Sequence, residues 1–129
     1  MLLHYAKNSR AVRVAWLLEE LNIEYNIKKY ALGDKQLRDN EYKKINPLGR
    51  VPVLEDNEFV ISESGAIIQY LLSKYGKNQF VPDIGSNDFP YYLQWFHYAE
   101  GMIMPQMNII VVETILLPQE KRNEVNLAR

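Results

Sequence analysis

Residues 46–56 of this 129-residue chain constrain its fold more than any other segment. Pro47 and Pro52 have no backbone N–H, and Gly49 between them favours a turn. No regular element can run through the first half of this segment. The second half, Val-Pro-Val-Leu-Glu, has the short apolar pattern of a buried strand. The segment therefore predicts a bent entry into a strand, to which the neighbouring elements must be fitted.

Hydrophobic periodicity places a strand or a helix on each side of this bend. Leucines and valines spaced three and four apart predict two amphipathic helices, and short apolar or alternating runs predict strands. Ser9 is the predicted N-cap of the first helix, and Gly76 the predicted C-cap of the last. The predicted order is βαβαββα over residues 1–76: strands at 2–6 and 24–32, helices at 10–22 and 35–45, a hairpin turning at Asp56-Asn57 with its return strand at 58–61, and a helix opened by residues 62–64.

Residues 77–87 have the composition of a linker, and a different kind of segment follows them. We expect a long helix over residues 88–117 with a kink at Pro105, and a new helix from Pro118 onward. The long helix is apolar on more than one face, so it needs cover from a partner chain or from further residues. Residues 88–129 are therefore expected to be part of an all-helical domain.

Composition and charge exclude several classes of function. Fifteen Lys and Arg against sixteen Asp and Glu give a net charge of −1, so nucleic acid is not an expected partner. The chain has no cysteine, which excludes disulfides, zinc-thiolate and iron–sulfur sites, and catalysis by a thiol of the protein. The sequence shows no targeting segment or bilayer-spanning run, and we expect a cytoplasmic protein without a membrane partner. His4 and His97 have no metal-ligand spacing, so no metal site is predicted.

Four segments of the chain resemble the glutathione S-transferase superfamily, most closely its bacterial and fungal branch. They are residues 9–27, the NPLGRVPVLED motif at 46–56, the ISESGAIIQYL motif at 61–71, and WFHYAEGMIMPQM at 95–107. The resemblance implies an α/β chain with a thioredoxin-like domain, followed by the first one or two helices of an all-α domain. It also implies binding of reduced glutathione as co-substrate, a small electrophilic second substrate and a homodimer.

The resemblance assigns glutathione contacts to two of these motifs. Pro52 is expected to follow a cis peptide bond, and Val51 to offer its N–H and C=O to the cysteinyl part of glutathione. Glu63 would pair with the γ-glutamyl ammonium, while Ser64 and the helix N-terminus would bind the carboxylate. Arg50 and Lys44 are candidates for the glycine carboxylate.

The residue that stabilises the glutathione thiolate is expected at the start of the first helix, where a hydroxyl or amide and the helix dipole favour an anion. Ser9 is the first candidate as donor, and Arg10 would add positive charge. Asn8 falls where serine-type relatives keep their catalytic serine. Tyr5 is a weaker candidate, because it lies within the first strand. An ordinary N-cap role remains the alternative for Ser9.

Two functions are compatible with these residues. In the first, the chain activates glutathione for attack on an electrophile, a peroxide or a mixed disulfide, as a detoxifying transferase would. In the second, it is a non-catalytic binding or interaction module with an incomplete second-substrate pocket. The retained Glu63, Ser64 and Val51-Pro52 favour the first function, since a scaffold has no need of a γ-glutamyl site.

Overall fold

A computed structural model gives the architecture and describes residues 1–127. The chain divides into two compact units, one from Met1 to Phe80 and one from Val81 onward. The division lies within the predicted linker, and the exact domain bounds given above stay a prediction.

The first unit contains a four-stranded mixed sheet with the order β2-β1-β3-β4. β1 is parallel to β2 and antiparallel to β3, and β3 is antiparallel to β4. A parallel pair needs a crossover between its strands, and helix α1 (Ala11–Glu20) supplies it. The strands are β1 (Leu2–Ala6), β2 (Asn26–Tyr30), β3 (Val53–Asp56) and β4 (Phe59–Ser62).

The larger core of this unit lies between the sheet and two helices, α1 (Ala11–Glu20) and α3 (Ser64–Tyr75). The predicted apolar stripes of both helices pack into it, with some members fully buried and others half-buried. Its buried residues are Leu3, Val14, Leu17, Leu18, Leu54, Ile67 and Leu71. The α/β fold and the predicted order of elements are confirmed.

A smaller core contains residues from β2, β3, a 3₁₀ turn at Lys35–Arg38 and helix α2 (Asn40–Ile45). The prediction of one helix over residues 35–45 is wrong, because Asp39 has extended backbone angles (φ −71°, ψ 152°) that interrupt it. The buried members of this core are Tyr30, Leu37, Tyr42 and Val53.

The hairpin turn also differs from the prediction. Asp56 pairs with Phe59 as the last residue of β3, so the turn is Asn57-Glu58 and not Asp56-Asn57. Asn57 adopts a left-handed conformation (φ 54°), which asparagine tolerates in two-residue turns. At the other end of α3, Gly76 follows the helix as predicted, with a right-handed φ of −72°.

The second unit is helical. α4 (Phe89–Tyr98) passes through a π-helical turn (Ala99–Ile103) into α5 (Met104–Val111) and a second π-helical turn (Val112–Leu116). The first π-helical turn directly precedes Met104 and Pro105, and a proline removes one helical hydrogen bond at that point. Neither α4 nor α5 has a buried residue, and apolar side chains such as Trp95 remain exposed.

The helix predicted to restart at Pro118 is wrong over its first half. A single 3₁₀ turn (Gln119–Lys121) precedes a short α6 (Glu124–Leu127), and residues 128–129 of the prediction lie outside the described residues. The buried Glu113 carboxylate accepts hydrogen bonds from the Asn123 N–H (2.7 Å) and the Asn126 amide (2.9 Å), which hold this segment against the preceding helix. Within residues 1–127, no helix is long and apolar enough to cross a membrane.

Candidate functional site

Three of the loops predicted to be functional leave the same end of the sheet. His4 of β1 pairs with Val53, and Val53 pairs with Ser62 of β4. Since both pairings are antiparallel, the carboxyl ends of β1 and β4 meet the amino end of β3. This end carries residues 7–10, the Val51-Pro52 turn and the Glu63-Ser64 junction. The sheet topology therefore brings together most of the site residues predicted from sequence.

Val51 presents unpaired backbone groups at this end. The Val51-Pro52 peptide bond is cis, as the resemblance implied, and Pro52 is buried directly before β3. Neither the N–H nor the C=O of Val51 has a hydrogen-bond partner among the described residues. Because nearly all buried backbone groups are paired, a half-buried residue with both groups unpaired is suited to pairing with an extended ligand.

The turn before Val51 is held by its own polar contacts. Gly49 is left-handed (φ 62°), and a Cβ there would lie 2.5 Å from the Leu37 carbonyl oxygen, so only glycine fits. The Arg50 carbonyl accepts hydrogen bonds from the Tyr42 hydroxyl (2.9 Å) and from the Asn46 side-chain amide (2.8 Å). Sequence reasoning missed the roles of Tyr42 and Asn46; the Asn-Pro pair was the one available signal.

Glu63 and Ser64 lie where β4 passes into α3. Glu63 is exposed and has φ 71° and ψ 116°, a combination that costs a bulky residue of order 1–3 kcal/mol. Ser64 is buried, and its hydroxyl has no hydrogen-bond partner among the described residues. No side chain caps the first turn of α3, whose N–H groups have no partner within the helix. An unpaired hydroxyl beside free N–H groups is an arrangement that binds a carboxylate.

At the start of α1 the two candidate donors differ in what they already bind. The Ser9 hydroxyl donates its proton to the Ala6 carbonyl (2.7 Å) and accepts the Ala11 N–H (3.1 Å). Ser9 thus caps α1 with its side chain, although Arg10 occupies the N-cap position. Asn8 is exposed and left-handed (φ 62°), and its carboxamide has no hydrogen-bond partner among the described residues. Tyr5 packs against the larger core.

The basic residues predicted to contact glutathione differ in exposure and in pairing. Lys44 is largely exposed and pairs with Glu41 of its own helix at 2.7 Å. Arg50 is exposed in the turn directly before Val51. Arg10 is half-buried beside Ser9.

A buried polar network lies behind the cis-proline turn, in the smaller core. His4 Nδ1 lies 2.9 Å from the Tyr30 hydroxyl, and His4 Nε2 lies 2.5 Å from Glu55 Oε1. Both ring nitrogens are therefore satisfied within the protein. Across residues 1–127 there is no cluster of three or more His, Asp or Glu side chains that could hold a metal ion.

At the other end of the β3–β4 hairpin, polar groups are paired instead. The buried Asp56 carboxylate accepts hydrogen bonds from the hydroxyls of Tyr70 (2.5 Å) and Tyr75 (2.6 Å) and from the Lys74 ammonium (3.0 Å). Burial alone would raise the pKa of Asp56, but these three donors outweigh it and lower the pKa to about 2. This cluster joins α3 to the hairpin, and its three donors already occupy one oxygen of the Asp56 carboxylate.

Comparison with known proteins agrees with this arrangement. Residues 1–73 match the family model for the N-terminal domain of glutathione S-transferases. Glutathione S-transferase 3 of Schizosaccharomyces pombe is 36% identical over 105 residues, and glutathione S-transferase 1 of Saccharomyces cerevisiae is 38% identical over 116 residues. These matches cover 81% and 82% of this chain but 43% and 48% of the relatives, so the chain spans a little under half their length.

Solved structures show the same fold. A glutathione transferase from Phanerochaete chrysosporium, crystallised with oxidized glutathione, has a TM-score of 0.86 and 31% identity, and the match covers 99% of this chain and 59% of that one. A glutathione transferase homolog from Lodderomyces elongisporus, with two glutathione molecules per subunit, has a TM-score of 0.88 at 23% identity, covering 99% and 62%. On the family match over more than half of its residues, this chain belongs to the glutathione S-transferase superfamily.

Proposed function

We propose that the first unit binds reduced glutathione at the end of the sheet where Val51, Glu63 and Ser64 lie. The observation that carries this proposal is a set of polar groups left unpaired together: the accessible hydroxyl of Ser64, the first N–H groups of α3, and the backbone of Val51. Polar groups that have no partner within the protein and remain accessible can form hydrogen bonds with a ligand. Family membership and the glutathione-bound neighbours support the identity of the ligand.

The γ-glutamyl end of glutathione matches the junction between β4 and α3. Its carboxylate would accept hydrogen bonds from the Ser64 hydroxyl and the N–H groups at the positive end of the α3 dipole. Its ammonium would pair with the exposed Glu63 carboxylate. The strained backbone of Glu63 supports a functional role, because such strain persists mainly where a site requires it.

The cysteinyl part of glutathione would lie along Val51. The unpaired N–H and C=O of Val51 can form two hydrogen bonds with an antiparallel backbone, as an added strand would. The glycine carboxylate would then lie toward the exposed Arg50. Lys44 is the second candidate for binding the glycine carboxylate, but its ion pair with Glu41 would first have to break.

Catalysis requires the bound thiol to ionise near neutral pH. A free cysteine thiol has a pKa near ~8.5, and each unit by which the site lowers it requires ~1.4 kcal/mol of preference for the thiolate. The Ser9 hydroxyl has one proton, which it donates to the Ala6 carbonyl. Asn8 has two free amide protons. We therefore propose Asn8 as the thiolate donor, with Ser9 fixing the start of α1 and Arg10 adding positive charge.

The reaction class follows from a thiolate held in this position. The sulfur lone pair forms a bond to an electrophilic carbon, and the leaving group departs with the electrons of its own bond. Attack on a peroxide oxygen or on a mixed disulfide uses the same thiolate. The proposal includes a small electrophile as the second substrate. It also includes a homodimer, in which the exposed apolar side chains of the second unit would take part.

A non-catalytic binding module is the second candidate. It is favoured by the state of Ser9, whose only proton is already committed within the protein. Glutathione binding without turnover of a reactive aryl halide would support this candidate, whereas binding with turnover would support a transferase.

The role of Asn8 is tested by Asn8→Ala, Ser9→Ala and the control Asn22→Ala. Asn22 is also an exposed, left-handed asparagine (φ 52°), so its replacement has a similar backbone effect away from the site. We expect Asn8→Ala to lower turnover about ten-fold or more while glutathione affinity changes by a few-fold at most. A loss of turnover of this size in Ser9→Ala, without one in Asn8→Ala, would instead assign the role of thiolate donor to Ser9.

A further inference from the structure

One carbonyl at the edge of the proposed glutathione site is held by two buried donors. The Arg50 carbonyl oxygen accepts from the Tyr42 hydroxyl at 2.9 Å and from the Asn46 side-chain amide at 2.8 Å. Tyr42 is 5% exposed and Asn46 is 4% exposed. The two donors lie on separate elements: Tyr42 is within α2, and Asn46 begins the turn that leads to Val51. Two bonds from different elements restrict the direction in which this carbonyl points.

The direction of the Arg50 carbonyl determines the direction of the Val51 N–H. Both groups belong to one peptide unit, which is planar and, unlike the next one, trans. In a trans peptide the N–H points opposite to the C=O. Any rotation that turns the Val51 N–H away from a ligand must therefore break both hydrogen bonds at Arg50.

The donors are themselves restrained. The Asn46 side-chain carbonyl accepts the Leu48 N–H at 3.1 Å, which sets the orientation of its amide. The Tyr42 ring makes edge contacts with the rings of His4 and Tyr30, with centroids 5.5 and 5.3 Å apart. Burial and then the nearby Tyr30 hydroxyl raise the pKa of Tyr42, so its hydroxyl stays protonated and remains a donor.

We infer that Tyr42 and Asn46 are positioning residues, which hold the Arg50–Val51 peptide so that the Val51 N–H faces the ligand before it binds. Neither side chain contacts the ligand in this arrangement. Their contribution is preorganisation, because a peptide already fixed loses no freedom on binding. The inference depends on the proposed role of Val51 in glutathione binding.

The test compares Tyr42→Phe and Asn46→Ala with the matched control Tyr75→Phe. In that control Tyr75 also loses one half-buried hydroxyl contact, but its partner is Asp56 at the far end of the hairpin (2.6 Å). Two quantities are measured on the ¹⁵N-labelled full chain: the residual dipolar coupling of the Val51 N–H without ligand, which reports its direction, and the dissociation constant for reduced glutathione. A merely structural role changes stability but not the direction of one N–H vector.

We expect Tyr42→Phe to change the Val51 coupling and to weaken glutathione binding about five-fold, the size of one hydrogen bond. Tyr75→Phe should leave the coupling unchanged and the affinity within two-fold. An unchanged coupling in Tyr42→Phe, or a changed coupling with unchanged affinity, overturns the inference. If the folded wild-type chain shows no glutathione binding at all, the proposed function fails, and a changed coupling still supports the positioning of the Val51 N–H by Tyr42.

Discussion

The two ends of the β3–β4 hairpin treat their polar groups in opposite ways. At the far end, Asp56 is buried and receives three hydrogen bonds from α3. At the near end, the Ser64 hydroxyl and the backbone of Val51 have no partner among the described residues, and Glu63 has a strained backbone. The same two strands and the same helix form both ends. Paired polar groups therefore mark the end that stabilises the fold, and the unpaired groups mark the end at which we propose that the ligand binds.

The largest expected effect comes from the far end. Asp56→Ala should lower the free energy of unfolding by about 3 kcal/mol, because two tyrosine hydroxyls and the Lys74 ammonium lose their shared acceptor. Denaturant unfolding of the full chain measures this effect. Glutathione affinity of the variant that remains folded should stay within about two-fold. Asp39→Ala is the control, since Asp39 is exposed and its side chain caps nothing; a ten-fold loss of affinity in Asp56→Ala would break the separation of the two ends.

Substitutions at the near end should instead change glutathione affinity. Glu63→Ala and Ser64→Ala should each weaken glutathione binding by ~1–3 kcal/mol, since each leaves a charged group of the ligand without its partner. Calorimetric titration measures the loss. The matched controls are Glu58→Ala, in the hairpin turn at the other end of the same strands, and Ser73→Ala, on the exposed side of α3. Affinity that is unchanged in both near-end variants would contradict the placement of the γ-glutamyl group.

The pH dependence of stability should reflect the far end. The pKa of Asp56 is lowered in the folded state to about 2 from an ordinary 3.8. A lowered folded pKa means that its stabilisation is present above about pH 4 and is lost as the pH falls toward 2. Denaturant midpoints measured between pH 5 and pH 2 should therefore fall less steeply in Asp56→Asn than in wild type. The curve of Asp39→Asn should follow that of wild type, and identical slopes for all three proteins would contradict the role of Asp56.

The smallest expected effect concerns strain at the near end. Glu63→Gly should raise the free energy of unfolding by about 1 kcal/mol, because relief of the strain at φ 71° (about 1–3 kcal/mol) exceeds the ~0.5–1 kcal/mol entropic cost of glycine. The same substitution should weaken glutathione binding, since it removes the carboxylate. Thermal unfolding compared with Glu63→Ala, which keeps the strain, measures the difference. Equal stability of the two variants would contradict this estimate and would limit the strain at Glu63 to the entropic cost of glycine.

Most of the first unit could be predicted from the sequence, because its local patterns agree with its tertiary structure. β1 and the apolar stripes of α1 and α3 follow from periodicity, and the Asn46–Asp56 motif located the turn before β3. The errors fall where tertiary contacts override local pattern. The α2 region breaks at Asp39, and the hairpin turn shifts by one residue because Asp56 pairs with Phe59.

For the candidate site, the sequence suggests residues but not their hydrogen-bonding states. Sequence could name Ser9 and Asn8 as candidate donors, but it could not show that the Ser9 hydroxyl donates to the Ala6 carbonyl. The periodicity places Tyr75 on the apolar stripe of α3 and assigns Tyr70 no role, because their shared acceptor Asp56 lies 19 and 14 residues away. Such contacts leave no signal in a local window of one sequence.

The most direct test of the ligand end is a calorimetric titration of the folded 129-residue chain with reduced glutathione, beside Asp56→Asn and a Glu63→Ala/Ser64→Ala double variant. We expect wild type and Asp56→Asn to bind one glutathione with a micromolar to millimolar dissociation constant, and the double variant to show no measurable heat. Wild-type chain that is folded by circular dichroism and binds no glutathione, or a double variant that binds as well as wild type, would contradict the account.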